Sequence, residues 1–341
     1  MNNVQPTPST NGHTRPNGFD PSLLLEVRDL SVNFVNPGQP PARALERVSF
    51  QLRPGEILGV VGESGCGKST LMLSLMRLLG PAGRITDGQV IFRDRDLLDL
   101  SEAEMTQVRW KNISMIFQGA MNALNPVRRV GDQIGEAIRH HIPFTERAAV
   151  EKRVSDLLEL VGIAARRRGE YPHQFSGGMR QRAMIAMALA CNPQIVIADE
   201  PTTALDVMVQ AQILELLRRL CRELEVSVLF VTHDLGVVAE ICDSVLVMYG
   251  GVVAEYGDVD TIFNQPRHPY TQELLKAFPN LSNLNGKLAS IPGYPPRLDA
   301  LPAGCRFAPR CPAAMERCHL AAPPVYALGP QHRASCYLVD S

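Results

Sequence analysis

The sequence predicts an α/β fold, because short apolar strands alternate with helical patterns along most of its 341 residues. Three strands are predicted from apolar runs: Ile57–Val61, residues 195–200, which end in the carboxylates Asp199 and Glu200, and residues 228–232. Such runs are typical of buried strands. Helical periods dominate at 180–190 and again at 209–224. Hydrophobic residues make up 45% of the chain, so we expect one large domain with a packed core and a smaller appendage.

Composition excludes several classes of protein. The formal net charge is -1 and the sequence pI is about 6.7, so no global basic field indicates a nucleic-acid partner. No apolar run approaches the roughly 20 residues that a membrane-spanning helix requires. Residues 1–22 are rich in Asn, Pro, Thr and Gly without an apolar segment, which predicts a disordered tail rather than a signal peptide. We therefore expect a cytosolic protein, in which structural disulfides are rare.

The segment 62–70 organises the rest of the chain, because it fits the pattern G-x-x-x-x-G-K-[ST] between a strand and a helical pattern. Its glycines let backbone N–H groups turn inward around an anion, and the helix N-terminus adds further donors. The Lys68 ammonium would reach terminal phosphates, and the Ser69 hydroxyl would ligate Mg²⁺. A glycine-rich turn without a ligand is the less favoured interpretation. The candidate phosphate site comprises Gly62, Ser64, Gly65, Cys66, Gly67, Lys68, Ser69 and Thr70.

Functional side chains are also predicted where apolar strands end. Phe34 ends the first predicted strand and is either an adenine-stacking aromatic or an ordinary strand residue. Gln118 ends another strand and could ligate a metal or position water. Asp199 fits the Mg²⁺-holding acid of phosphate-loop enzymes, and Glu200 could polarise the attacking water. His233 lies where ligands bind in open α/β sheets, although a packed polar residue is the commoner occupant of such a position.

Two glycine-containing turns are predicted. Asp87-Gly88 indicates a tight turn before a short strand at 89–93. Gly250-Gly251 separates two apolar runs by two residues, which predicts a β-hairpin.

A helical insertion is predicted at 119–193, where strand signals vanish. Within it, Ser176, Gly177 and Gly178 precede a strongly helical run. This arrangement is either a second anion site or a plain helix cap. A second phosphate cradle far from the first makes sense only if two subunits face each other. Asp206 lies in a loop before the next predicted helix.

The chain beyond residue 262 is proline-rich and contains four of the eight cysteines. Such a short, irregular tail is too small to be held by a hydrophobic core, so a disulfide or a bound metal is expected to stabilise it. Disulfides are disfavoured in the cytosol. Two interpretations are left: a shared metal site or four unrelated cysteines. The cysteine spacings match neither the C-x₂₋₄-C pairs of common zinc sites nor the common ferredoxin patterns. Nearby arginines at 306, 310, 317 and 333 could offset the charge of a thiolate-bound cluster. The cysteines are Cys305, Cys311, Cys318 and Cys336.

Taken together, these motifs resemble the ATP-binding cassette (ABC) ATPases of membrane transporters, from residue 24 to the C-terminus. Segment 62–70 resembles the Walker A loop, Asp199-Glu200 resembles Walker B with its catalytic glutamate, and 176–178 resembles the signature motif that other phosphate-loop enzymes lack. Gln118, Asp206 and His233 resemble the Q-loop, D-loop and switch histidine. Phe175 directly precedes the signature-like segment, at a position where leucine is commoner in the family. Segments 171–182, 233–238 and 267–271 narrow the resemblance to the oligopeptide/dipeptide importer branch and its D-type ATP-binding subunit.

The resemblance implies a phosphate-loop NTPase fold: a RecA-like core with an antiparallel β subdomain, a helical signature subdomain, and a small irregular C-terminal extension. It places the nucleotide-binding domain at 23–262 and the extension at 263–341. Two cassettes would close head to tail around two Mg-ATP, each held by one Lys68 loop and the partner's signature residues. The resemblance also associates the four late cysteines with a [4Fe–4S] cluster, for which we expect a structural role at the ATPase–ATPase interface. Zn²⁺ is the alternative.

The resemblance further implies partners and a location. These are two integral membrane permease subunits, a second and often non-identical ATPase subunit, and an extracytoplasmic substrate-binding protein, with this chain peripheral on the cytoplasmic face of the cell membrane. Peptide is the favoured cargo, with nickel or oligosaccharides as alternatives. A cassette protein acting on DNA or ribosomes is disfavoured by the single cassette, the missing heptads and the near-neutral charge. A scaffold that binds ATP without turnover is disfavoured by Glu200 and His233.

Overall fold

The computed structural model describes residues 20–117, 119, 123–142, 146–203, 205–277 and 290–340. Its strands are β1 (Leu25–Phe34), β2 (Ala42–Leu52), β3 (Ile57–Val61), β4 (Gly83–Phe92), β5 (Arg95–Asp96), β6 (Ile113–Ile116), β7 (Ile195–Asp199), β8 (Ser227–Val231), β9 (Ser244–Tyr249), β10 (Val252–Asp258), β11 (Tyr326–Ala327) and β12 (Arg333–Ala334). Its helices are α1 (Lys68–Leu75), α2 (Glu102–Val108), α3 (Val130–His141), α4 (Arg147–Leu160), α5 (Gly177–Ala188), α6 (Val207–Leu224), α7 (Leu235–Ile241), α8 (Val259–Asn264), α9 (Pro269–Lys276) and α10 (Glu316–Leu320).

A mixed sheet carries the predicted apolar strands at its centre. Strands β9, β3, β8, β7 and β6 lie side by side in that order and run parallel. All five residues of β3, β7 and β8 are buried, which explains why these strands are continuous apolar runs rather than alternating ones. Because the strands are parallel, the residues that follow β3, β7 and β8 emerge at one edge of the sheet.

An antiparallel sheet packs against this core. Its strand order is β2, β1, β4 and β5, and its buried residues share one hydrophobic cluster with α1 and with residues of β3, β7, β8 and β9. The expected α/β fold, with an antiparallel β subdomain beside a phosphate-loop core, is therefore confirmed.

One predicted turn is wrong. Asp87-Gly88 does not precede the strand but lies inside β4, which runs unbroken from Gly83 to Phe92. The pairing of β1 with β4 shifts between Arg28 and Ser31, opposite this dipeptide. A Cβ on Gly88 would lie 2.5 Å from the Leu30 Cα, so the glycine permits a close crossing at an irregularity in the ladder rather than a chain reversal. By contrast, Gly250-Gly251 forms the predicted two-residue hairpin turn, with φ of 55° and 87°.

Helices occupy the described residues between 119 and 193. Helices α3, α4 and α5 pack on one another, and the two short 3₁₀ turns at 165–169 and 172–174 connect α4 to α5. No strand occurs in the described part of this segment.

The C-terminal extension continues the core sheet. Strand β12 pairs antiparallel with β10 through Glu255 and Tyr256, and β11 pairs with β12 at the sheet's outer edge. Glu255 is completely buried and accepts hydrogen bonds from the backbone N–H groups of Arg267 and His268, at 2.7 and 3.0 Å. Its Oε1 also lies 2.8 Å from Nε2 of His332. Two parts of the extension therefore share one carboxylate from the cassette.

In the part of the chain that the structure describes, no helix has both the length and the apolar character needed to cross a membrane.

Candidate functional site

The segment 62–70 forms a loop between β3 and the first turn of α1. Gly62 and Gly67 have φ of 148° and 107°, backbone conformations that residues with a side chain rarely adopt. A Cβ on Gly62 would lie 2.2 Å from the Met248 carbonyl oxygen, and one on Gly67 would lie 2.8 Å from the Ala44 carbonyl oxygen. The glycines are therefore required by the path of the chain at these two positions.

Lys68 begins α1 and is 7% exposed. Its Nζ donates to the carbonyl oxygens of Gly62 and Glu63, at 2.6 and 3.2 Å, and lies 3.7 Å from the Cys66 sulfur. Burial raises the pKa of the Cys66 thiol, which keeps it neutral beside the ammonium. The loop thus holds a buried positive charge on its own carbonyls.

Asp199 lies at the end of β7 beside the loop. It is 4% exposed, and its carboxylate lies close enough to the Ser69 hydroxyl for that group to lower its pKa. Its Oδ1 is buried without a hydrogen-bond partner among the described residues. Burial raises the pKa of Asp199, while Ser69 and Lys68 oppose that rise. An orphaned carboxylate oxygen beside a hydroxyl is the hard oxygen donor set that Mg²⁺ prefers, so these residues fit a magnesium ion. Gln118, the third predicted ligand, lies outside the described residues.

Glu200 and His233 meet at the next strand end. The Thr203 hydroxyl donates to Oε2 of Glu200 at 3.0 Å, and Nδ1 of His233 lies 3.4 Å from Oε1. The Glu200 side chain is 18% exposed, whereas that of His233 is 70% exposed. Glu200 has φ of 47°, a left-handed conformation that it shares with seven other non-glycine residues among those described. The geometry therefore presents one oriented carboxylate and one exposed imidazole in contact with it.

The signature-like residues 176–178 lie at the start of α5, and Asp206 lies at the start of α6. Ser176 caps α5 by accepting a hydrogen bond from the Met179 N–H at 3.3 Å, so the plain-cap interpretation describes the geometry within one chain. A Cβ on Gly178 would lie 2.6 Å from Cγ1 of Val209, in the first turn of α6. Asp206 caps that helix by accepting from the Val209 N–H at 2.9 Å. Ser176 and Asp206 are both exposed, and Gly178 lies against Val209 of α6.

Phe34 is half-buried at the end of β1, and its ring lies against Gly83 of the neighbouring strand. Both interpretations of Phe34, as a nucleotide-stacking aromatic and as an ordinary strand residue, are compatible with this position.

The four late cysteines line one small cavity between α9 and the end of the chain. Cys318 and Cys336 are buried, while Cys305 and Cys311 are partly buried. Burial raises the pKa of the Cys305 and Cys311 thiols and brings that of Cys336 to about 11. Four thiols on one cavity are a donor set suited to Zn²⁺ or an iron–sulfur cluster. However, no three His, Cys, Asp or Glu side chains of the described residues are already placed to hold a metal ion, so the thiols would have to converge.

The arginines beside these cysteines have other partners. Arg310 forms an ion pair with Glu63 of the phosphate loop, and Arg306 pairs with Glu46 and donates to the Gly250 carbonyl. Arg317 stacks over Tyr337 and pairs with Asp340 at 3.5 Å. Three of the four arginines thus pair with carboxylates, and the expectation that they offset the charge of a cluster stays a prediction.

Contacts between the extension and the phosphate loop are the part of the site that sequence patterns missed. Glu63 and Arg310 are 247 positions apart, and Glu63 and Tyr270 are 207 positions apart. Local periodicity and motif spacing carry no information on such pairs.

Comparison with known proteins agrees with this geometry. The chain matches the ABC transporter family over residues 45–203, which include the phosphate loop and Asp199-Glu200. It matches the C-terminal region of oligopeptide/dipeptide transporters over residues 254–318.

Solved structures share the fold. A dimeric ATP-binding cassette in a post-hydrolysis state with bound ADP and phosphate has a TM-score of 0.62 and 28% identity, covering 69% of this chain and 98% of that one. A subunit of the cbiONQ ABC transporter complex from Clostridium perfringens has a TM-score of 0.62 and 27% identity, covering 72% of this chain and 92% of that one.

Two relatives match nearly the whole chain. The dipeptide transport ATP-binding protein of Bacillus subtilis is 50% identical over 320 residues, covering 93% of this chain and 95% of the relative. The oligopeptide transport ATP-binding protein of Salmonella typhimurium is 50% identical over 317 residues, covering 93% of this chain and 94% of the relative. With half of the residues identical over this length, the chain belongs to the ABC transporter ATPases, in the branch that carries the oligopeptide/dipeptide transporter C-terminal region.

Proposed function

We propose that the site at the sheet edge binds Mg-ATP, with Lys68 on the phosphates and with Ser69 and Asp199 on the magnesium ion. The observation that carries this proposal is the buried, unpartnered Oδ1 of Asp199 beside Ser69 and the Lys68 loop. Magnesium bound there would neutralise charge that develops on the phosphates. Gly62, Ser64, Gly65, Cys66, Gly67 and Thr70 complete the cradle, Gln118 joins the metal ligands, and Phe34 stacks on the adenine.

Glu200 is the general base in this proposal. Its carboxylate takes a proton from the attacking water, and the hydrogen bond from Thr203 holds one of its oxygens. His233 contacts the other oxygen through Nδ1, so its exposed ring is free to face the γ-phosphate.

A second cassette completes each site. Ser176, Gly177, Gly178 and Asp206 of one subunit would face the nucleotide bound by Lys68 of the other. The exposure of Ser176 and Asp206 supports this arrangement, as does that of Met208, two residues after Asp206, which is 73% exposed. The N-terminus of α5 would then supply donors to the phosphate of the partner's ATP.

Nucleotide binding by the purified chain tests the proposal. We expect Lys68→Ala to weaken the Kd for ATP at least tenfold, because the buried ammonium is the main cation of the cradle. Lys152→Ala is the matched control, since Lys152 is an exposed lysine that pairs with Asp156 on α4. Equal affinities for Lys68→Ala and the control would overturn the assignment of the phosphate site.

The transport role follows from the relatives. We infer that this chain energises peptide uptake, because relatives at 50% identity are named dipeptide and oligopeptide transport ATP-binding proteins. The partners are two permease subunits, a second ATPase subunit and an external substrate-binding protein, which place the chain on the cytoplasmic face of the membrane. Nickel or oligosaccharide uptake with the same ATPase chemistry is the alternative.

Cofractionation tests this role. Expressed with its permease subunits, the chain should be recovered with the membrane and should copurify with them. Expressed without them, it should stay in the soluble fraction. Membrane recovery without any partner would contradict a peripheral attachment through permeases, and a cognate binding protein that carries nickel or an oligosaccharide would replace the peptide cargo.

We further propose that Cys305, Cys311, Cys318 and Cys336 bind one metal centre, a [4Fe–4S] cluster with Zn²⁺ as the alternative, with a structural role at the interface between the ATPase subunits. All four thiols line the same cavity, in a segment too small to be held by a core of its own. Anaerobically purified chain should be brown and contain iron and acid-labile sulfide. Cys311→Ser should lose both, whereas Cys191→Ser, a buried cysteine elsewhere, should keep them. Stoichiometric zinc without sulfide would replace the cluster by zinc, and no metal at all would overturn the metal site.

A further inference from the structure

Two side chains of the C-terminal extension hold Glu63 in the phosphate loop. Nη1 and Nη2 of Arg310 donate to the two carboxylate oxygens of Glu63, at 2.7 and 3.0 Å. The Tyr270 hydroxyl accepts a hydrogen bond from the Glu63 backbone N–H at 3.0 Å. One residue of the loop is therefore held by its side chain and by its backbone at the same time.

Arg310 is fixed by its other contacts. Its Nε donates to the Pro292 carbonyl at 2.8 Å, Nη1 to the Tyr249 hydroxyl at 3.1 Å, and Nη2 to the Ile291 carbonyl at 3.2 Å. With the two bonds to Glu63, all five N–H donors of the guanidinium are used. The side chain is only 5% exposed, so solvent competes little for these bonds. A guanidinium held this firmly fixes the position of its partner rather than following it.

Tyr270 is equally rigid. It is 0% exposed, and its ring packs on those of Tyr249 and Phe307, with ring centroids 4.5 and 5.4 Å away. Tyr249 also accepts from Arg310. Tyr249 of the cassette thus contacts both residues of the extension that hold Glu63, Tyr270 through ring packing and Arg310 through a hydrogen bond.

Glu63 in turn lies next to the group that would meet phosphate. The carbonyl oxygens of Gly62 and Glu63 hold the Lys68 ammonium, and the N–H groups of the following loop residues would line the anion cradle. A shift of Glu63 would therefore move both the lysine and the cradle. The side chain of Glu63 points to Arg310, so its charge does not oppose the phosphates directly.

We propose that Arg310 and Tyr270 of the extension are positioning residues for ATP binding, acting through Glu63 on the phosphate loop. The inference rests on the proposed phosphate site at 62–70. It gives the extension a task within its own chain, separate from any metal centre or subunit contact. Arg310 directly precedes Cys311, so a change in the thiol cavity would reach the phosphate loop through this ion pair.

The test separates affinity from turnover in the assembled transporter. We expect Arg310→Ala to raise the KM for ATP and the Kd of the purified chain about tenfold, with kcat changed less than about twofold. Arg310→Lys keeps the positive charge but loses the two-pronged guanidinium that binds both carboxylate oxygens, so its affinity for ATP should lie between those of Arg310→Ala and the wild-type chain. Tyr270→Phe removes only the hydroxyl acceptor and should raise KM in the same direction. Arg297→Ala is the matched control, because Arg297 pairs with Asp299 in the same extension and should leave KM unchanged.

A double-mutant cycle identifies the route. If Arg310 acts through Glu63, the double variant Arg310→Ala, Glu63→Gln should bind ATP no more weakly than the worse single variant. Additive losses would show that Arg310 acts by another path and would overturn the proposal. A lower melting temperature with unchanged KM in both Arg310→Ala and Tyr270→Phe would also overturn the proposal. That result is expected if the contacts to Glu63 only stabilise the fold and do not affect ATP binding.

The Lys68→Ala chain keeps the two failures distinct. If Lys68→Ala weakens ATP binding and the Arg310 variants do not, the phosphate site stands and the positioning role falls. If Lys68→Ala has no effect either, the proposed phosphate site itself is wrong.

Discussion

Acidification should loosen helix α9, because its cap is a neutral histidine. His268 is 4% exposed, and its Nδ1 accepts a hydrogen bond from the Tyr270 N–H at 3.0 Å. This bond requires an unprotonated Nδ1. Burial lowers the pKa of His268 to about 4, from an ordinary value near 6.5. Protonation would break the cap of the helix that carries Tyr270 toward the phosphate loop.

The sign and size of the effect follow from linkage. The pKa of His268 is lower in the folded state than in the open state, so the stability it contributes is present above pH 6.5 and is lost as the pH falls toward 4. Between pH 7 and pH 5, a shift of this size removes about 2 kcal/mol of free energy of opening. This corresponds to a roughly 20-fold loss of protection.

Hydrogen exchange measures that loss. Amides of α9 (Pro269–Lys276) should lose this protection between pH 7 and pH 5, after correction for the intrinsic pH dependence of exchange. His268→Asn is the matched control, because its Oδ1 can cap the helix but does not titrate in this range. If the wild-type chain and His268→Asn showed the same pH dependence, titration of His268 would not control the opening of α9, and the reasoning would be refuted.

Two further substitutions follow from the geometry of the loop and the metal ligands. Gly62→Ala should weaken ATP binding, measured by titration calorimetry, more than Gly65→Ala does. Both glycines have positive φ, but only a Cβ on Gly62 would clash with a backbone atom, the Met248 carbonyl oxygen at 2.2 Å. Asp199→Asn should raise the Mg²⁺ concentration for half-maximal ATPase activity at least as much as the roughly 10- to 100-fold loss typical of outer-shell partners, because Asp199 is a proposed direct ligand. Its melting temperature should stay the same or rise, because the substitution removes a buried carboxylate whose Oδ1 has no partner among the described residues; a loss of stability instead would indicate that the carboxylate is structural.

Much of the cassette could be predicted from the sequence because its signals are local. The apolar run Ile57–Val61 before the glycine-rich loop matches β3 to the residue, since a fully buried strand leaves an unbroken apolar pattern. Asp199, Glu200 and His233 could be placed together because parallel strands end at one edge of a sheet.

Other features depended on tertiary structure. Asp87-Gly88 has the composition of a turn, yet the neighbouring strand makes it part of an irregular ladder. The hold of Arg310 on Glu63 joins residues far apart in the chain, and neither residue belongs to a pattern that requires the other. The cysteines were grouped correctly by composition, since all four line one cavity, but their spacing does not define a ligand.

Turnover by a Glu200→Gln chain in the assembled transporter tests the central claim most directly. The substitution keeps the shape of the side chain and an oxygen for the Thr203 hydroxyl to bind, but removes the base. We predict that ATP binding is retained and that kcat falls by about 10²- to 10⁴-fold, the usual contribution of a general base. The reference is the transporter assembled with wild-type chain and the same partners. A kcat close to the wild-type value would contradict the assignment of Glu200, and with it the proposed hydrolytic mechanism of this site.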